Sequence, residues 1–335
     1  MTSDTAPMRP GEELDLARLG DYLNQHLPAA TYEVEQFSGG HSNLTYLLKA
    51  GAREYVLRRA PLGPVAPKAH DMAREYNVLR RLHPVFGEAP GVVHLCEDAS
   101  VIGAVFYLME RRRGVIFRDP SLIAEYGRER SLAMVDTLVE LHAVDIRAAG
   151  LDALGKPEGF LERQVTGWVG RWRNAALPES PDAARVVSVL TSQIPASPPA
   201  TVVHNDYKLD NVMFSEREPG VIEAVLDWEM TTVGDPLADV GLALCYWEMG
   251  GAYGKGAGRP AGWLSEDEFV ERYAASTGRD MTHLRWHRVL GVFKLAVILQ
   301  QIYVRYARGQ TRDERFAGFG ERVQMLMERA RELAD

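Results

Sequence analysis

The stretch VVHNDYKLDNVMF, residues 202–214, followed by VIEAVLD, residues 221–227, decides the fold. Apolar, β-branched runs stand on both sides of HNDYKLDN, so Asp206 and Asn211 share one loop clamped between two short strands. The second run ends on Asp227, which delivers another carboxylate at a strand end. Magnesium prefers a few hard oxygen ligands together with substrate phosphates, a preference that the Asn211 carbonyl and the Asp227 carboxylate meet. Asp206 is then left to engage a hydroxyl proton. This is the inventory of a phosphoryl-transfer site.

The HxDxxxxN pattern of His204, Asp206 and Asn211, with Asp227 closing the next strand, resembles the aminoglycoside phosphotransferase and choline kinase superfamily, relatives of the protein kinases. The resemblance implies an α+β, protein-kinase-like bilobal fold with a small antiparallel five-stranded N-lobe and a larger, mainly helical C-lobe. It also implies ATP as phosphoryl donor, with GTP open as an alternative, Mg2+ on Asn211 and Asp227, and a small-molecule hydroxyl as acceptor.

Composition agrees with that frame. A chain of 335 residues is long for one core, and 46% apolar with 25% charged residues is a globular balance. A net charge of −8 and the lack of a long basic run argue against nucleic acid as a partner. The first residues have neither a basic start nor an apolar stretch, and VLGVFKLAVILQQIYV is interrupted by Lys294, Gln300 and Gln301, so no membrane is expected and the location expected is cytoplasmic. No residue pattern fixes an oligomeric state. Cys96 and Cys245 sit in apolar surroundings and read as buried thiols.

Along the chain, residues 1–30 read as a tail and an amphipathic helix carrying Leu16, Leu19 and Leu23 on the outside of the fold. Residues 31–110 read as the nucleotide-binding N-lobe, and residues 111–335 as the helical C-lobe with the catalytic loop and acceptor site. In the N-lobe, YEVEQF, LTYLLKA and REYVLRR are strands. In the kinase-like fold the first hairpin covers the phosphates, so Gly39 and Gly40 of SGGHSN would let the backbone approach the anion closely. The third strand places Arg58 where the family carries a phosphate-gripping Lys; an Arg keeps the charge with a longer, forked geometry. The helix MAREYNVLRRL puts Glu75 on the same stripe as Met72, Leu79 and Leu82, and an acid there needs a cation, for which Arg58 is the candidate. Met109, Glu110 and Arg111 fall at the expected hinge, where adenine is bound through backbone groups.

Past Glu110 a long, mainly helical insert precedes His204, and no activation segment follows Asp227; both features resemble small-molecule kinases rather than protein kinases. In GDPLAD, Asp239 is expected to cap a helix or to hold catalytic-loop N–H groups, and Asp235 to cap the same helix. His204 is expected to orient the loop. The segment GGAYGKGAGRPAG, residues 250–262, is expected to be a mobile loop on the substrate side, and Ser265 with Glu268 to form a capping box. Trp168, Trp172, Trp247, Tyr253, Trp263 and Tyr303 are expected in the core or on the lobe surface, with the lining of an acceptor pocket as the alternative.

At finer grain, FSGGHSNLTYLL, GFLERQVTGWVGRW, VLDWEMTTVGDPLADVG and FKLAVILQQIYVRYARGQT resemble a subgroup related to the kinase-like domain fused to acyl-CoA dehydrogenases. That resemblance implies a hydroxy acid or hydroxyacyl-CoA as acceptor. The C-terminal helices mix Arg and Glu without the acidic cluster that a polycationic aminoglycoside needs. Two further readings stand beside this one: an ATP-binding pseudokinase without phosphotransfer, and an aminoglycoside or choline-type kinase.

Overall fold

The computed structural model describes residues 4–37, 43–61, 70–117, 125–249, 259–311 and 313–335. Gly39 and Gly40, Tyr253 and most of the expected substrate-side loop lie outside the described residues. The chain divides into two compact units, one made of Met1–Arg113 with Glu223–Glu229, the other of Gly114–Ile222 with Met230–Asp335. The fold is α+β and kinase-like.

The first unit is built on an antiparallel sheet. In chain order its strands are β1 (Thr5–Ala6), β2 (Tyr32–Phe37), β3 (Leu44–Ala50), β4 (Arg53–Arg59), β5 (Val92–Cys96) and β6 (Phe106–Glu110), arranged β1-β2-β3-β4-β6-β5. The five expected strands are present, and the two-residue β1 adds a sixth at the edge by pairing Thr5 with Phe37. Helix α1 (Leu16–His26) starts at Asp15, whose side chain accepts from the Arg18 N–H. Its Leu19 and Leu23 are buried in one cluster with Tyr46, Leu48, Leu57, Phe106 and Leu108, so the leucine stripe of α1 completes the core under the sheet. Helix α2 (Met72–Leu82) is capped by Asp71 and buries Met72, Glu75, Val78, Leu79 and Leu82.

The second unit is mainly helical among the described residues. Its helices are α3 (Gly127–Ala143), α4 (Phe160–Asn174), α5 (Ala184–Ser192), α6 (Pro236–Met249), α7 (Glu266–Thr277), α8 (Leu284–Ala307) and α9 (Phe319–Ala334). Strand β7 (Thr201–Val203) leads into the HNDYKLDN loop and β8 (Val212–Phe214) leaves it; β9 (Ile222–Val225) begins at the last residue of this stretch of the second unit and carries the chain into the first, toward Asp227. Strand β10 (Thr232–Gly234) pairs antiparallel with β7, Thr232 facing Val203, and so supports the start of the loop. Helix α8 is apolar enough by length and composition to cross a membrane, yet 67% of its most apolar window is buried inside the protein, as suits a core helix. Helices α6 and α8 touch at backbone distance: a Cβ on Gly241 would stand 2.5 Å from the His287 carbonyl oxygen, and one on Gly291 would stand 2.9 Å from Gly241. Any side chain there would force the helices apart. Both cysteines are buried free thiols, and Ser265 with Glu268 forms the capping box.

Candidate active site

In the second unit, the loop between β7 and β8 turns its polar groups onto one carboxylate. Asp206 Oδ1 accepts from the Tyr246 hydroxyl at 2.8 Å. Its Oδ2 accepts from Lys208 Nζ at 2.6 Å and from Asn211 Nδ2 at 2.9 Å. Asn211 Nδ2 also donates to the Asp206 carbonyl, tying the two ends of the loop together. The Asp206 side chain keeps 19% exposure.

Beneath the loop lies Asp239, on the first turn of α6 and 1% exposed. One of its oxygens accepts the His204 N–H at 2.6 Å and the other the Asn205 N–H at 2.7 Å. His142 Nε2 stands 3.3 Å from Asp239, and His142 Nδ1 is 2.7 Å from the Tyr273 hydroxyl. Burial alone would raise the Asp239 carboxyl; the bond from His142 and the His204 amide outweigh it and hold the carboxyl below its ordinary value. Asp235 caps α6 through the Leu237 N–H at 2.8 Å and faces His287 at 3.4 Å. His204 Nδ1 accepts the Asp206 N–H at 3.2 Å, a loop-orienting bond.

Asp239 thus replaces two peptide partners that the loop cannot find in a strand or helix. Removing one partner of such a buried network is expected to cost about 3–5 kcal/mol, so Asp239→Ala should lower the denaturation midpoint sharply. The sign with pH follows from the lowered carboxyl: the Asp239 contribution is present above the ordinary carboxylate range and is lost as pH falls through and below it. Urea titrations of the wild type and Asp239→Ala at pH 7 and at pH 3 check both points, the gap between the two proteins narrowing at the lower pH.

In the first unit, Arg58 Nη2 lies 3.2 Å from Glu75 Oε1 and 3.0 Å from Asp227 Oδ1. Glu75 is 1% exposed and accepts the Trp228 N–H at 3.2 Å. Burial pushes the Arg58 guanidinium down, but Glu75, Tyr107, Asp227 and Glu229 together hold it above its ordinary value, so it stays charged. Burial raises the Glu75 carboxyl while Arg58 opposes the shift. Met109 is buried in β6. The Glu110 carboxylate accepts from the Gly91 N–H at 2.8 Å, and Arg111 pairs with Glu54 and Asp4.

The backbone is strained at Asn205 (φ 65°) and Asp227 (φ 68°), both in the left-handed region. Asn and Asp enter that region more readily than other residues with a Cβ, and holding them there directs the side chains that follow or belong to them.

Two side chains, one in each unit, each keep an oxygen of a kind that suits a hard cation. Asn211 spends Nδ2 on Asp206 and has no hydrogen bond to its Oδ1 among the described residues; Asp227 spends Oδ1 on Arg58 and keeps Oδ2. Each therefore offers one oxygen of the type magnesium prefers.

Four polar residues escaped the sequence reading. Lys208 and Tyr246 bond Asp206, and Lys294 donates to the Asn205 carbonyl at 3.1 Å. In the first unit, Glu229 accepts from Asn43 at 3.1 Å, with His70 3.3 Å away. Of these, only Lys294 announces itself in sequence, as the single cation of an apolar helix stretch. Trp247 and Trp263, expected in the core, are buried with ring centroids 4.4 Å apart, and they line a pocket with Met134, Tyr207, Lys208 and Tyr246.

Comparison with known proteins returns one consistent answer. The model of the phosphotransferase enzyme family matches residues 33–287. Acyl-CoA dehydrogenase family member 11 of Rattus norvegicus is 36% identical over 355 residues, covering 100% of this chain and 45% of the relative. Family member 10 of Mus musculus is 32% identical, covering 99% of this chain and 32% of its own length. The chain therefore spans less than half the length of these relatives. Among solved structures, a candidate aminoglycoside phosphotransferase of Ralstonia eutropha superposes with a TM-score of 0.79 at 30% identity, covering 96% of this chain and 98% of that one. The GDP complex of aminoglycoside 2'-phosphotransferase-IIIa superposes with a TM-score of 0.62 at 15% identity, covering 95% and 99%, a likeness of fold alone.

Proposed function

Because the chain belongs to the phosphotransferase enzyme family, we propose that it is a Mg-ATP-dependent kinase acting on the hydroxyl of a small molecule, a hydroxy acid or hydroxyacyl-CoA. The observation that carries this reading is the Asp206 carboxylate, held by Tyr246, Lys208 and Asn211 and still open to a hydroxyl. Asp206 accepts the proton of the acceptor hydroxyl as its oxygen bonds to the γ-phosphorus. The bond from that phosphorus to the β–γ bridging oxygen breaks, and ADP leaves. Lys208, 2.6 Å from Asp206, aligns the base and brings a positive charge to it. Asn211 and Asp227 are the proposed magnesium ligands; bound magnesium neutralises phosphate charge. Arg58, fixed by Glu75, is the proposed phosphate-binding cation, and Gly39, Gly40 and the backbone of Met109, Glu110 and Arg111 are proposed for the nucleotide.

The acceptor class is supported by one observation. The relatives carry acyl-CoA in their names, a class of molecule that a hydroxyacyl-CoA acceptor would share.

ATP consumption with magnesium, measured against hydroxy acids, hydroxyacyl-CoAs, amino sugars and choline, tests the proposal. Turnover is expected with the first two groups; turnover only with amino sugars or choline would overturn the acceptor class. A second reading, nucleotide binding without transfer, is favoured by the Arg58–Asp227 pair, which occupies one of the oxygens that a metal would use. Tight Mg-ATP binding with no turnover on any acceptor would select it.

A further inference from the structure

Helix α8 is buried and apolar through its middle turns except at Lys294, which is 7% exposed. Among the described residues no carboxylate lies within ion-pair distance of its ammonium. Nζ instead donates to the Asn205 carbonyl at 3.1 Å, stands 3.5 Å from Asn205 Oδ1, and sits 5.7 Å above the centre of the Trp168 ring on α4. Asn205 immediately precedes Asp206 and is the residue held at φ 65°. Its N–H bonds Asp239, its Nδ2 bonds the Met230 carbonyl at 3.1 Å, and its carbonyl bonds Lys294. Every polar group of that strained residue is therefore spoken for, and among the described residues Lys294 is the only cation among its partners.

A buried ammonium without a salt bridge works against folding. Burial pushes Lys294 down to about 8; Asp206 and Asp239 pull it back up, while Lys208 and Arg171 of α4 push it lower. Between about pH 8 and its ordinary value of 10.5 the unfolded chain holds a proton that the folded chain lacks, so the Lys294 contribution to stability improves as pH rises. An apolar residue of the same length would suit the core better. A residue that costs stability at neutral pH while gripping the residue next to the base has its rationale in the reaction.

We propose that Lys294 is a positioning residue for phosphoryl transfer: from the buried face of α8 its ammonium locks the Asn205 carbonyl, fixes the aim of Asp206, and sets a positive charge behind the loop. The proposal rests on the reading of Asp206 as the base.

The test compares wild type, Lys294→Met, Lys294→Arg and Asp206→Ala in magnesium-dependent ATP turnover between pH 6.5 and 9.5. The probes are the hydroxy-acid and hydroxyacyl-CoA panel, with water as acceptor in parallel, and urea midpoints are taken on the same samples. Lys294→Met is expected to lower kcat by about 10- to 100-fold with the KM for ATP unchanged. Its urea midpoint relative to wild type should be highest at pH 7 and should decline toward pH 9.5. Wild-type kcat should fall as pH rises through about 8, where Lys294 loses its proton, and Lys294→Arg should move that fall upward.

A wild-type kcat that stays flat from pH 7 to 9.5 overturns the proposal whatever the variants do. So does a Lys294→Met enzyme with wild-type kcat, or one whose loss of turnover only follows a loss of stability. Asp206→Ala separates the two levels: retained turnover there removes the base reading itself, whereas an inactive Asp206→Ala beside an unaltered Lys294→Met removes only the role of Lys294.

Discussion

Asp206→Ala is expected to lower turnover by about 10³-fold while ATP affinity stays unchanged. The size follows from the role proposed for the carboxylate: without a positioned base the acceptor hydroxyl would have to lose its proton to water, and the attacking oxygen would be weaker throughout the transition state. Local rearrangement is modest, because Tyr246, Lys208 and Asn211 each lose one partner at a partly open position where water can replace it. Asp206→Asn makes a second control, since its Oδ1 can still accept from Lys208 and Asn211 while its Nδ2 donates to the Tyr246 hydroxyl, so the loop bonds are kept and only the base is removed. Turnover assays beside a nucleotide-binding titration decide the matter; a variant that turns over at the wild-type rate would remove Asp206 from the reaction.

Asp227→Ala is expected to reduce nucleotide affinity by about 10-fold or more with magnesium present and to leave it unchanged when magnesium is chelated. Two effects meet at this residue. The carboxylate neutralises Arg58 at 3.0 Å, and the backbone is left-handed at φ 68°. Alanine loses the charge and adds about 1 kcal/mol of backbone strain. Asp227→Asn keeps a residue that tolerates left-handed backbone and removes only the charge, so both variants should lose the magnesium effect while alanine alone adds the strain penalty. Calorimetric titration of ATP with and without magnesium, paired with melting curves, separates the contributions; an unchanged magnesium effect in both variants would end the metal role.

The parts of the site legible in the sequence were those whose partners lie close along the chain or on a clear periodic stripe. HNDYKLDN reads as a loop because strands flank it, and Glu75 reads as buried because it shares a face with Met72, Leu79 and Leu82. GDPLAD gave Asp239 by its place at a helix start. Tyr246 reaches Asp206 across 40 positions, Lys294 reaches Asn205 across 89, and Asn43 reaches Glu229 across 186. Local periodicity carries no information at those separations; only the packed helices do. The edge strand β1 escaped notice for another reason, since two residues are too few to show an alternation.

The seven residues Glu223–Glu229 belong to the first unit although the chain around them belongs to the second. On a ribosome, a nascent chain ending at residue 113 holds the whole six-stranded sheet but lacks the Asp227 carboxylate that neutralises Arg58 and the Trp228 amide that Glu75 accepts. The first unit is therefore finished only after about twice that length has been synthesised. A gene cut after residue 113 would yield a fragment with its central ion pair half-built, so neither unit can be excised by a single cut, and fragment complementation would have to supply the strand and turn in trans.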